Sequence, residues 1–165
     1  LVNAVCRLNH GLDVGGQTIG TATQFHIGVT VNPGAEDLNE EIRRFEWKVD
    51  AGAHYVITRP VFDVAAFERL HRRLEDARLP IVLSLRPFEN VLDAEYLANE
   101  VPGVHVPSAM LDRMRRASSV EAAADEGIAI SAEITAALRT SVHGVNVIPP
   151  PSRFDLGLAL LDALG

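Results

Sequence analysis

The sequence contains one cysteine in 165 residues, and it has no long apolar run. Cys6 alone cannot form a disulfide within the chain, and a single thiolate makes a cysteine-based metal cage implausible. A reducing, cytoplasmic setting therefore fits the sequence best. No segment approaches the roughly 18 consecutive apolar residues of a membrane span, and no charged-then-apolar leader opens the chain. We therefore expect no membrane partner.

Clustered positive charge is also lacking. The formal net charge is −7 and the isoelectric point is near 5.3. The short arginine groups at 43–44 and 72–73 lie among acidic residues in helical patterns, which is typical of a solvated helix face. Because neutralising a nucleic-acid backbone requires clustered lysine and arginine, we expect no nucleic-acid partner.

The familiar signatures of a catalytic or metal site are missing. None of the six histidines stands at the spacing of a metal-binding pair with a nearby carboxylate. We expect His26 and His54 to lie within strands as hydrogen-bonded core or rim groups. The glycine-rich segment 11–23 follows a helical pattern and precedes a strand, the reverse of the order in a phosphate-binding loop. The residues alone therefore predict no catalytic residue and no metal site.

The sequence does contain a regular alternation of helical and strand patterns. The clearest unit begins near Asp37, a candidate N-cap, and its helix is expected to stop at Gly52. Its apolar positions recur at helical spacing: Leu38, Ile42, Phe45 and Val49. Residues 54–61 follow and are short, rich in β-branched and aromatic residues and broken at Pro60. This segment is typical of a buried parallel strand.

The same alternation continues along the chain. Strands are predicted at 24–31, 54–61, 79–85 and 142–148. Helices are predicted at 1–10, from Asp37, from Asp63 to Ala77, at 91–100, from Pro107, at 119–138 and at 154–164. Met110 and Met114 fall at helical spacing and are expected in the core. The pattern predicts a single α/β domain over 1–165, with parallel strands joined by right-handed crossovers.

Ligands of parallel α/β folds collect at the carboxyl ends of the strands. Arg59 and Arg86 each stand at the carboxyl end of a predicted strand and precede a proline. The two guanidinium groups could clamp a carboxylate or a phosphate. They could equally pair with neighbouring acids such as Asp63 and Glu89, and the spacing leaves both interpretations open.

Several long motifs resemble the methylenetetrahydrofolate reductase family, most closely the versions fused to homocysteine S-methyltransferase. They read NPGAEDLNEEIRR, KVDAGAHYVITRPVFD and NEVPGVHVPSAMLDRM, and the similarity runs from LNHGLDVGG to VNVIPPPSRFDLGLALL. The resemblance implies a TIM-type (β/α)8 barrel that binds FAD and passes a hydride from NAD(P)H to methylenetetrahydrofolate. A complete barrel needs about 250 residues. This chain resembles only strands five to eight, and because it begins at Leu1 we expect it to start inside a longer protein.

The resemblance also implies roles for particular residues. Lys48 and Arg44 match helix positions that contact the flavin, and Ile57 lies on the strand beneath it. Arg59 stands where the family usually has a glutamine that touches the folate. Asp93 and Leu97 match positions near the substrate. The catalytic glutamate and aspartate of the family belong to strands upstream of Leu1, so no catalytic residue is assigned here.

Three readings follow. The first is the C-terminal half of an FAD-dependent reductase that is inactive alone, with copies pairing into a homo-oligomer through their unpaired strand edges. The second is a degenerate half-barrel that acts as a structural, interaction or regulatory module, favoured by Arg59 in place of glutamine. The third is a complete flavodoxin-like domain, which would require a phosphate loop after the first strand. The acidic, glycine-poor segment at 32–37 argues against that loop.

Overall fold

The computed structural model describes residues 1–74, 79–151 and 153–165. Four strands alternate with helices in this part of the chain. The strands are β1 (Gly28–Val31), β2 (Tyr55–Thr58), β3 (Ile81–Leu85) and β4 (Gly144–Val147). The helices are α1 (Val2–Asn9), α2 (Leu38–Asp50), α3 (Val64–Leu74), α4 (Val91–Glu100), α5 (Ser108–Arg116), α6 (Val120–Leu138) and α7 (Phe154–Leu164).

The four strands form one parallel sheet in the order β1-β2-β3-β4. When every strand lies beside its predecessor, right-handed crossovers place the connecting helices on the same face of the sheet. The other face, which we call the uncovered face, carries no helix from these crossovers. The predicted parallel α/β fold is confirmed, and its strand order is that of consecutive units of a (β/α) barrel.

The core lies between the sheet and the helices. Alternate strand residues, including Val31, Val56 and Leu83, are at most 1% exposed and belong to the same buried cluster as Phe45 and Phe67. Burying a side chain of this size stabilises the fold by about 1.5–3 kcal/mol. The predicted core role of Met114 is confirmed, since it is 1% exposed.

Polar side chains fix the helix starts. Asp37, Asn90 and Ser119 each accept a hydrogen bond from the backbone N–H three residues later, at 3.0–3.1 Å. These bonds satisfy donors that a helix leaves free at its first turn. The predicted N-cap at Asp37 is confirmed. Gly52 follows α2 with φ +103°, a conformation that glycine adopts without steric cost.

The observed strands are shorter than predicted. Residues 24–27 are not part of β1, and Asn9 instead engages Phe25, accepting from Phe25 N and donating to Phe25 O, both at 2.8 Å. His26 and His54 accordingly precede β1 and β2, so their placement within strands was wrong, although His54 is hydrogen-bonded as expected. The predicted helix end at Ala77 lies outside the described residues.

Gly127 allows α6 to approach the loop after β3. A Cβ atom at this position would lie 2.1 Å from the backbone oxygen of Phe88. A glycine in a helix interior costs about 1 kcal/mol relative to alanine. Glycine is nevertheless required at this position, because no side chain fits between α6 and the loop.

His54 and His143 each make two hydrogen bonds to one residue at or just before the start of the neighbouring strand. We call this pair of bonds the histidine clasp. Each lies one residue before its own strand, β2 or β4. The N–H of His54 donates to Ile27 O at 2.8 Å, and Ile27 N–H donates to His54 Nδ1 at 3.1 Å. His143 makes the same two bonds with Ile81, at 2.8 and 3.1 Å. A neutral imidazole is required, because only an unprotonated Nδ1 accepts.

We predict that His143→Leu lowers the free energy of unfolding by about 1–3 kcal/mol, because it leaves the N–H of the buried Ile81 without its acceptor. His105→Leu is the matched control, since the His105 side chain is 65% exposed. Its effect should stay within about 0.5 kcal/mol. Urea unfolding measures both, and equal losses would show that the clasp contributes no stability.

Arg113 ties α5 to α6. It donates to both oxygens of Glu133, at 2.6 and 2.8 Å, and also pairs with Glu126. These hydrogen bonds hold the pKa of the Glu133 carboxyl below its ordinary value. A carboxyl whose pKa is lower in the folded state stabilises the protein above its unfolded-state pKa, and this contribution is lost as the pH falls.

We predict that Glu133→Gln destabilises the protein near neutral pH by less than about 1 kcal/mol, because the side chain is 61% exposed and water screens the pair. The difference from the wild type should shrink progressively as the pH falls below the ordinary pKa range of a glutamate, because the wild-type carboxyl then becomes protonated and loses its charge-assisted bonds to Arg113. Urea unfolding across this pH range, with Glu68→Gln as the control, checks the prediction. A difference that is independent of pH would contradict it.

Candidate functional site

A cleft of about 640 Å³ opens where β1 and β2 end. Its walls come from the end of β1, the segment 35–48 that contains most of α2, the side chain of Arg59 and the loop at Pro102–Gly103. We call it the strand-end cleft. Its volume is within the roughly 300–1,000 Å³ of small-molecule and cofactor sites. Its position at strand carboxyl ends is where parallel α/β folds bind ligands.

Three of the residues predicted to bind cofactor or substrate line this cleft together. Arg44 and Lys48 lie one turn apart on α2 and therefore share a helix face. Arg59 reaches the cleft from the end of β2. Lys48, the only lysine in the chain, is half-buried and donates from Nζ to Thr30 O at 2.7 Å. Ile57 lies beside Thr30 in the neighbouring strand, on the uncovered face.

Four carboxylates also line the cleft, at Glu36, Asp37, Glu40 and Glu41. Three of them are engaged locally: Asp37 caps α2, Glu40 pairs with Arg43, and Glu41 accepts from Asn32 N at 2.9 Å. Across the described ranges, neither Arg44 nor Arg59 forms an ion pair with a carboxylate. Their guanidinium groups therefore keep donors for an anionic or carbonyl-bearing ligand.

The loop at Pro102–Gly103 is latched onto the ends of β1 and β2. Arg59 donates to Pro102 O at 3.3 Å, and Asn32 Nδ2 donates to Gly103 O at 3.0 Å. Gly103 has φ +72°, and a Cβ there would lie 2.6 Å from Asn32 Nδ2. The sequence indicated only turns at these segments. The contact joins residues 71 positions apart, and no local pattern could have predicted it.

Asp93 and Leu97 lie away from the strand-end cleft. Asp93 accepts two bonds from Arg86, at 2.8 and 2.9 Å, and one from Glu89 N at 3.1 Å. The side chains of Asp93 and Arg86 are 15% and 14% exposed, so this ion pair is largely withdrawn from water. Leu97, one turn later on α4, is 7% exposed and belongs to the core. Their substrate contact stays a prediction.

Arg59 and Arg86 differ in whether an acidic side chain pairs with them. Arg86 pairs with an acid, but the acid is Asp93 and not Glu89, which faces Arg153 at 3.6 Å. Arg86 does not line the strand-end cleft, whereas Arg59 does. A shared clamp of Arg59 and Arg86 is therefore not formed at this cleft.

Within 1–74, 79–151 and 153–165, no three or more histidine, cysteine, aspartate or glutamate side chains are grouped to hold a metal ion. Over the same ranges, no helix has both the length and the apolarity needed to cross a membrane.

Comparison with known proteins adds family and fold information. Residues 18–148 match the family profile described as methylenetetrahydrofolate reductase. No curated protein matches the sequence significantly. One similar solved structure is an uncharacterised protein from Clostridium thermocellum that binds two copies of 5-methyl-5,6,7,8-tetrahydrofolic acid. The TM-score is 0.56 at 18% identity, and the match covers 81% of this chain and 51% of that one. The match thus spans about half the length of the other protein, and at this identity the likeness shows the fold alone.

Proposed function

Because the chain belongs to the methylenetetrahydrofolate reductase family, we propose that it supplies the C-terminal half of an FAD-dependent reductase barrel. In this proposal the whole protein reduces 5,10-methylenetetrahydrofolate to 5-methyltetrahydrofolate in the cytoplasm, with NAD(P)H as the reductant. The observation that carries the proposal is the gathering of Arg44, Lys48 and Arg59 in one cleft at strand carboxyl ends.

The residues of the strand-end cleft fit a dinucleotide cofactor. FAD carries a pyrophosphate, and pyrophosphate oxygens accept hydrogen bonds from guanidinium and ammonium groups. Arg44 has no carboxylate partner in the described ranges, and Lys48 keeps two of its three N–H donors beyond its bond to Thr30 O. Arg44 and Lys48 would hold the phosphates, while Ile57 would lie beneath the ring. When bound, FAD supplies the hydride relay between NAD(P)H and the folate.

Folate binding is assigned to the β2 side of the same cleft, at Arg59, with Asp93 and Leu97 as the more distant predicted contacts. The solved structure from Clostridium thermocellum, which has this fold, binds 5-methyltetrahydrofolate. Arg59 departs from the family's usual glutamine, and a guanidinium group donates but cannot accept. Arg59 is therefore suited to a carbonyl, a ring nitrogen or a carboxylate of the folate.

The chain is proposed to bind these ligands without turning them over. By the resemblance, the catalytic glutamate and aspartate belong to strands that this chain does not contain. The second candidate, a degenerate half-barrel with a structural or regulatory role, is favoured by the donor-only side chain of Arg59. Ligand binding separates the two proposals, because the degenerate module would bind neither FAD nor folate.

We predict that FAD protects Lys48 from acetylation by an amine-selective reagent, because the cofactor would cover the only lysine ammonium in the chain. Mass spectrometry of the peptide containing Lys48 measures the protection, with the N-terminal amine as the internal control. Lys48→Met should weaken FAD binding about tenfold, the equivalent of one charge-assisted hydrogen bond, as measured by flavin fluorescence.

Arg139→Met is the matched control, since Arg139 is exposed at the end of α6, outside the cleft. It should leave FAD affinity within about twofold of the wild type. Absence of protection together with absence of FAD binding would reject the reductase proposal in favour of the degenerate module. Turnover of NAD(P)H and methylenetetrahydrofolate by the 165-residue chain would reject the claim that it is inactive alone.

Association between copies is proposed from the two ends of the sheet. Within the described residues, β1 and β4 each pair with only one strand, and an unpaired edge is a template for another chain. Beside β4, helix α7 exposes Phe154, Leu158 and Leu161 by 72%, 65% and 48%. Their spacing places them on one helix face, which forms an apolar stripe suited to an interface.

We predict that light scattering gives a mass of at least two chains, and that Leu158→Glu returns the mass toward the 17.9 kDa of one chain. A charge in the apolar stripe would have to be desolvated for copies to associate. Leu92→Glu is the control, because Leu92 is 72% exposed on α4, away from the stripe. A single-chain mass for the wild type at micromolar concentration would contradict the prediction.

A further inference from the structure

Four polar residues form one row across the carboxyl ends of the four strands. Ser84 pairs directly with Asn146. Val56 pairs with Ile81 and Ile57 with Val82, and the N–H of Ser84 then donates to Thr58 Oγ1 at 2.9 Å, so Ser84 lies beside the end of β2 that Arg59 follows. The bond from Arg59 N to Val31 O, at 2.8 Å, extends the pairing of β1 with β2 and places Asn32 level with Arg59. We call Asn32, Arg59, Ser84 and Asn146 the polar row.

The polar row belongs to the uncovered face of the sheet. Side chains alternate between the two faces of a strand, and the immediate neighbours Val31, Leu83 and Leu85 are buried against the helices. Two residues earlier on each strand, the uncovered face carries Thr30, Ile57, Val82 and Gly144. A ring lying on this face would therefore meet small or apolar side chains below and hydrogen-bonding groups along one edge.

The members of the row differ in the hydrogen-bonding capacity that they retain. Asn32 uses its amide within the protein, donating to Gly103 O and accepting from Gly34 N. Ser84 is 0% exposed and accepts from Asn146 Nδ2 at 3.1 Å. That bond orients the Asn146 amide and uses one of its two N–H donors. The other N–H and the Oδ1 acceptor are not used by it. In the described ranges, neither of these groups has a protein partner.

We propose that Asn146 is a specificity-determining residue that binds the pterin ring of the folate, opposite Arg59. The proposal rests on the proposed folate-binding function. The pterin ring has an edge on which a carbonyl lies beside an N–H, and an amide with one acceptor and one donor pairs with such an edge through two bonds. Ser84 is the positioning residue, because its hydroxyl fixes the direction of the amide.

The spacing of the row suits a bicyclic ring. Arg59 and Asn146 lie two strands apart, which corresponds to about 10 Å across the sheet. A ring between them would lie over the half-buried Val82, with the fully buried Ser84 acting only through Asn146, while Arg59 donates to its other end. The isoalloxazine of FAD has a similar carbonyl and N–H edge, so the experiment compares the two ligands directly.

The test uses the 165-residue chain and titrates 5-methyltetrahydrofolate and FAD separately by calorimetry. Asn146→Ala should weaken folate binding about tenfold, because two hydrogen bonds to the ring are lost, and should change FAD binding less than about twofold. Asn146→Asp, which keeps an acceptor, should lie between the wild type and Asn146→Ala. Asn99→Ala, an exposed asparagine on α4, is the matched control and should change neither affinity.

Ser84→Ala separates positioning from direct contact. It should weaken folate binding less than Asn146→Ala does, because the amide is still present but no longer oriented. Thermal unfolding of each variant shows whether the fold is kept, and a variant that is unfolded before ligand is added is replaced by Asn146→Ser.

The outcomes distinguish the two levels of the proposal. If the wild type binds folate and Asn146→Ala binds it equally well, the role of Asn146 is overturned while the proposed function stands. Loss of FAD binding without loss of folate binding would also overturn it. If the wild type binds no folate, the proposed function fails and the role of Asn146 fails with it.

Discussion

The parallel register of the sheet is the constraint on which the rest of the structure depends. Because β1 to β4 run in one direction and in chain order, their carboxyl ends meet along one edge and their crossover helices share one face. The buried interface with those helices fixes which side chains of each strand face inward. A shift of one residue toward the carboxyl end of β1 or β3 would place Asn32 or Ser84 in the layer now occupied by Val31 or Leu83. The same register that buries the core therefore also aligns Asn32, Arg59, Ser84 and Asn146.

The charges of the strand-end cleft follow from how its acids and bases are paired. Four carboxylates and three cations line it, so the formal balance is negative, which by itself would repel a phosphate. Three of the carboxylates, however, are held by a helix terminus, a backbone N–H or Arg43. Arg44 and Arg59 have no such engagement with a carboxylate in the described ranges. This distribution of hydrogen bonds leaves the guanidinium donors of Arg44 and Arg59 available, which is what the proposed pyrophosphate site requires.

Much of the fold could be predicted from the sequence, because the signals that specify its helices and turns are local. The spacing of Leu38, Ile42, Phe45 and Val49, the cap at Asp37 and the turn at Gly52 are short-range signals that act within a few residues. The site was predicted less completely. Lys48, Arg44 and Arg59 were found through the family motif, but the latch of Asn32 on Gly103 and the ion pair of Asp93 with Arg86 depend on tertiary contacts. The need for Gly127 could not be predicted, because a helical pattern contains no information on the backbone of Phe88 that approaches this position.

Arg59, where the family resemblance implies a glutamine, is best considered together with the other residues of the polar row. A glutamine at this position would offer a donor and an acceptor, whereas arginine offers only donors and brings a charge. One donor of Arg59 is used by Pro102 O, which anchors the guanidinium group at the rim of the cleft. The acceptor that arginine cannot supply is present two strands away, in the amide of Asn146 held by Ser84. In the proposed binding mode, the donor and acceptor functions that one glutamine would combine are divided between two strands of the same sheet. A ligand that needs both must reach across the uncovered face, so ring length as well as hydrogen-bond pattern becomes a criterion for binding.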